Sequence, residues 1–88
     1  MHNKHQIVQR LLEKDKESLS ELYDSYIRHI TNVLYTTSVP RQYHEKIIVE
    51  MFQIIWFSPD VLINEKHMSV SITKLCIDLT KTTFPDVS

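Results

Sequence analysis

Apolar residues recur at helical intervals in four stretches of the chain. Near the start, Ile7, Val8, Leu11 and Leu12 fall on one side of a helix over about residues 4–14, which stops at Lys14-Asp15-Lys16-Glu17. The clearest pattern follows. Leu19, Leu22, Tyr23, Tyr26, Ile27, Ile30, Val33 and Leu34 keep a three-and-four rhythm that predicts a helix over about 18–37. Ser18 and Glu21 have capping-box spacing, and Asp15 is a competing N-cap. Thr36, Thr37 and Ser38 weaken the helix, and Pro40 suits the first turn of the next one.

A third helix, about 41–57, sets Ile47, Ile48, Met51, Phe52, Ile55 and Trp56 on one broad face and ends at Ser58-Pro59-Asp60. Residues 58–68 read as a connection that carries Val61, Leu62 and Ile63. A fourth stripe, Ile72, Leu75, Cys76 and Leu79, predicts a helix over about 69–83, with Pro85 as its stop. The β-branched run from Val70 to Thr73 makes a strand conceivable there, but the spacing favours a helix. The expected fold is all-α: a compact bundle of three main helices with a shorter N-terminal one. Tyr23, Tyr26, Ile48, Phe52 and Trp56 are expected in its core.

Composition narrows this picture. The chain of 88 residues has room for one domain, 1–88, and contains no glycine, which disfavours tight hairpins and phosphate-cradling loops. A formal charge of −1 gives no overall attraction to nucleic acid or to anionic membrane. The lone Cys76 excludes an internal disulfide. No apolar run approaches the roughly 20 residues a membrane span requires, and the first residues lack a secretion signal, so a cytoplasmic protein without membrane attachment is expected.

Candidate chemistry is sparse. Of the five histidines, His2 and His5 sit in a terminal stretch without cysteine or carboxylate neighbours, while His29, His44 and His67 fall in different segments. No zinc-type pairing of short spacings occurs. Cys76 lies on an apolar stripe, where a small buried side chain is expected rather than a nucleophile. Glu45 and Glu50 do not share one helical face as a general-acid pair would. The sequence thus points away from an enzyme, and no metal or cofactor is expected. The aromatics follow the core rhythm, with Tyr35 and Tyr43 off the stripes and better placed for surface roles.

Three stretches together resemble a known family. Residues 12–19 (LEKDKESL) followed by Leu22-Tyr23-Asp24-Ser25-Tyr26 are similar to the opening of region 2 in bacterial sigma factors of the extracytoplasmic-function type. Residues 45–56 (EKIIVEMFQIIW) resemble that family's Glu-Asp-Leu-Val-Gln-Glu-x-Phe-x-x-x-Trp helix, and residues 72–79 (ITKLCIDL) its Leu-x-Arg-Ile-Ala-x-Asn-Leu helix. The resemblance spans about residues 11–82. It implies a compact helical domain that docks on the β′ clamp helices of core RNA polymerase and takes part in capturing the −10 promoter element.

By position, the polymerase-facing residues would be Glu45, Lys46, Val49 and Glu50, and the DNA-facing ones Asn64, Lys66, His67, Lys74 and Asp78. An anti-sigma factor or a co-sigma subunit is a further implied partner. The departures are specific. Lys46 replaces an acidic residue, Val49 a glutamine and Ser71 a tryptophan, and the basic helix expected beyond Leu79 is missing. With few cations to meet phosphate, promoter contact is expected to be weak or partner-dependent. The alternative is a degenerate sigma mimic, or a helical adaptor, that regulates by protein–protein binding without DNA recognition.

Overall fold

A computed structural model describes residues 4–83. Four α-helices follow one another, α1 (Lys4–Leu12), α2 (Lys16–Thr36), α3 (His44–Phe57) and α4 (Met68–Thr83), with short 3-10 turns at Arg41–Tyr43 and Pro59–Ile63. Among the described residues there is no strand, so the β-branched start of α4 is helical. The protein is all-α.

Local chemistry sets each boundary. Asp15 is the N-cap of α2: its Oδ1 accepts from the Glu17 amide at 3.0 Å, while Oδ2 accepts from the Ser18 hydroxyl and, at 2.9 Å, from Arg10 Nε. Ser18, the other candidate cap, is drawn into the helix and buried. Glu21 takes a hydrogen bond from the second arm of Arg10 at 3.2 Å, which ties α1 to α2. Pro59 opens the 3-10 turn and is itself buried.

The ends of α1 and α2 share one solution. The amide of Lys14 donates to Leu11 and that of Asp15 to Arg10; the amide of Ser38 donates to Tyr35 and that of Val39 to Leu34. These paired bonds close each helix in a Schellman motif, whose turning residue adopts left-handed backbone geometry. Glycine usually fills that position, but this chain has none, and Lys14 (φ 62°) and Ser38 (φ 61°) take it instead.

α2, α3 and α4 pack pairwise into a three-helix bundle, and α1 lies across the Pro59–Ile63 turn and against α2. The core joins all four helices and that turn. Leu11 (α1), Leu22, Ile30 and Leu34 (α2), Ile47, Met51 and Ile55 (α3), Leu62 (the turn) and Ile72 and Cys76 (α4) are fully or almost fully buried. The stretch read as a plain connection therefore contributes a core leucine. Among the five aromatic and aliphatic side chains expected inside, Phe52 is buried, Tyr26, Ile48 and Trp56 are half-buried, and Tyr23 is exposed. The α2 stripe is wider than the core it faces, so its Tyr23 edge emerges on the surface.

Candidate docking face on helices α2 and α3

α2 and α3 run antiparallel, with Tyr23 stacked at a tilt on Phe52 (ring centroids 5.2 Å apart) and Tyr35 meeting His44 edge-on at 4.9 Å. Between them lies an open trough of about 870 Å³. Leu19 and Tyr23 form its α2 wall, Ile48, Phe52 and Trp56 its floor, and Val49 and Phe57 its α3 edge. Phe57 is 77% exposed, Tyr35 55%, Val49 48% and Tyr23 41%. Large apolar side chains left this open on neighbouring helices form a patch rather than scattered surface residues, which marks an interaction surface.

Two groups fix the trough at its ends. At one, the Lys14 ammonium donates to the Trp56 carbonyl at 2.8 Å and lies 4.7 Å from the Trp56 ring centroid and 5.7 Å from that of Phe57. This contact satisfies a carbonyl at the C-terminal end of α3 and places a cation over two aromatic faces. At the other end, His44 is buried, with Nε2 2.8 Å from the Val39 carbonyl oxygen; that geometry requires Nε2 to carry the proton and donate.

The four residues assigned to polymerase contact fall together. Glu45, Lys46 and Val49 are exposed and Glu50 is half-buried, all on the outward strip of α3 with Gln53, next to Gln42 of the preceding turn. Glu45, Val49 and Gln53 form the ridge this strip shares with the trough. The residues assigned to DNA form a second surface. Asn64, Lys66 and His67 are exposed in the connection before α4, and Lys74 and Asp78 lie one turn apart on α4 itself. Lys74 is already engaged, its Nζ 2.6 Å from Glu65 Oε1.

Other candidates are absorbed by packing. His29 shares a 2.7 Å hydrogen bond with the Thr73 hydroxyl, linking α2 to α4. Cys76 is fully buried, and loss of solvent pushes its thiol up to about 11, so the nucleophilic thiolate is scarce at neutral pH. Among the described residues no three His, Cys, Asp or Glu side chains gather where a metal could be held, and no helix is long and apolar enough to cross a membrane.

The α2 wall of the trough is the part that sequence reasoning missed. Leu19 and Tyr23 fit the core rhythm, and periodicity alone does not separate the centre of a stripe from its edge. The available signal was the width of the stripe: eight apolar positions exceed what one seam with two partner helices covers. Comparison with family models, with curated proteins and with solved structures finds no match.

Proposed function

We propose that this protein is a sigma-region-2-like domain that binds core RNA polymerase through the outward strip of α3, in the cytoplasm, and acts in transcription initiation. The observation that carries the proposal is Val49, 48% exposed at the centre of a strip that Glu45, Lys46 and Glu50 rim with charge. An apolar centre inside a polar rim is the usual anatomy of a protein interface. Its position on α3 coincides with the helix whose sequence resembles the polymerase-docking helix of that family. Promoter contact in this proposal is weak or depends on a partner, because Lys74 is offset by Glu65 and Asp78 sits on the same face.

The second reading, an adaptor that regulates by protein binding without DNA, is favoured by the same apolar surface together with the altered docking residues Lys46 and Val49. Pull-down of core polymerase, or of its β′ clamp fragment, separates the two. Wild type is expected to retain polymerase, and a Val49→Asp, Glu50→Lys double variant, shown folded by circular dichroism, is expected to lose it. Failure of the folded wild type to bind transfers the assignment to the adaptor.

A further inference from the structure

The trough between α2 and α3 adjoins the outward strip of α3 along Glu45, Val49 and Gln53, and its charges are uneven. Lys16 lines one end, where Trp56 also carries the ammonium of Lys14 over its ring, and Arg41 lines the other; Glu45, four residues after Arg41, is the carboxylate among its lining residues. A cation thus stands at each end of an apolar trough walled by Tyr23 and floored by Phe52 and Trp56, in excess over the one lining carboxylate. The trough follows α2 from Lys16 to Tyr35, roughly 28 Å at 1.5 Å per residue, which is about five helical turns. A floor of large apolar side chains, open along its length, is the shape that receives the apolar stripe of a single helix.

We propose that this trough binds one amphipathic helix of a partner protein, its apolar stripe laid on Tyr23, Phe52 and Trp56 and its two ends carrying carboxylates that meet Lys16 and Arg41. Charge complementarity selects this occupant. A helix with basic ends would face Lys16 and Arg41 at close range, and a wholly apolar one would meet neither charge. Because a cation stands at each end of the trough, the charge rule concerns the composition of the partner helix rather than its direction. Glu45 and Val49 border both surfaces, but Lys16 and Arg41 lie outside the strip of Glu45, Lys46, Val49 and Glu50, so reversing their charge tests this inference apart from the polymerase assignment.

The test uses three synthetic peptides of about 18 residues, five turns long. One carries leucines at helical three-and-four spacing with glutamates in its first and last turns. The second replaces those glutamates by lysines. The third keeps the composition of the first but shuffles the leucines off the stripe. Calorimetric titration of the full chain is expected to show saturable binding of the acid-ended peptide, at least about tenfold tighter than the lysine-ended one, with the gap narrowing as salt is raised. Amide chemical-shift changes should concentrate on the facing turns of α2 and α3. The Lys16→Glu, Arg41→Glu double variant should reverse the preference between the charged peptides. Phe57→Ser, at a side chain with little to lose in folding, should weaken the acid-ended peptide while leaving the helical content intact. Equal binding of the two charged peptides, binding of the shuffled peptide at the same strength, shifts centred on α1 or α4, or no saturable binding of the acid-ended peptide would each overturn the proposal.

Discussion

Neighbouring side chains on α3 have opposite roles, and the difference is burial. Ile55 is fully enclosed, whereas Phe57, two residues on, is 77% exposed. Ile55→Ala is expected to destabilise the protein by about 2–5 kcal/mol, as cavity-forming truncations do. Phe57→Ala should change stability by no more than about 0.5 kcal/mol. Chemical denaturation of the two variants checks the contrast. Trp56 falls between them: half-buried, it should cost less on truncation than the 3–5 kcal/mol typical of an enclosed aromatic. Cys76 supplies a pH test. Burial raises its thiol from the ordinary 9.0 to about 11, so the unfolded chain gives up this proton first. The stability that comes from keeping it protonated is complete below pH 9 and is lost as pH rises toward 11. At pH 8 the folded protein should resist a thiol-directed alkylating reagent that reacts readily in denaturant. The buried place of Cys76 was legible in its 72-75-76-79 stripe. The exposure of Tyr23 was not, because it depends on where α3 comes to lie.

The helices themselves were readable from spacing, their ends less so: α1 stops at Leu12, α2 begins at Lys16 and α3 at His44, each two or three residues from the expected bound. Asp15 outcompetes Ser18 as the cap of α2 for a reason outside the local motif: Arg10, on the preceding helix, holds its carboxylate in place. That bond, made stronger by the charge on the guanidinium, keeps Asp15 below the usual carboxylate range, so its contribution is present at neutral pH and fades as pH falls below 3.8. Asp15→Ala should lower Tm by several degrees, about 4–8 °C for a domain of this size. Asp15→Asn, which keeps a capping oxygen and loses the ion pair, should lower it less. The two Schellman turns make an opposite prediction. Ser38→Gly relieves a left-handed backbone and is expected to stabilise the chain by up to about 1 kcal/mol. Lys14→Gly relieves the same strain but removes the ammonium from the Trp56 carbonyl, and should gain less or lose. Paired thermal melts distinguish them. The 3-10 turn at Pro59–Ile63 escaped the sequence because five residues are too few to display a helical period, although its Leu62 is wholly buried.

As a whole, the molecule is a small bundle. Of the seven exposed large apolar side chains among the described residues, four (Tyr23, Tyr35, Val49 and Phe57) gather between α2 and α3, while Lys74 and Asp78 on α4 offset one another. Duplex DNA binding by the isolated chain should accordingly be weaker than micromolar at physiological salt, with a shallow salt slope in filter-binding assays. Submicromolar affinity with a steep slope would reveal a basic surface that the pairing of Lys74 with Glu65 argues against. The candidate site was half legible for the same reason. Spacing leaves Glu45, Lys46, Val49 and Glu50 on the side of α3 away from its core stripe, whereas a trough between two helices exists only once they are packed. The seat of Lys14 against α3 has an optical consequence. Trp56 is the one tryptophan of the chain, and a positive charge rests 4.7 Å from its ring. The emission colour of a single indole therefore registers whether the α1–α2 corner is closed on α3. Lys14→Met should move the emission maximum while far-ultraviolet ellipticity stays constant. In a denaturant titration, any loosening of that corner ahead of the bundle would appear as a colour change before helix is lost, so the protein signals its first step of opening with light it emits itself.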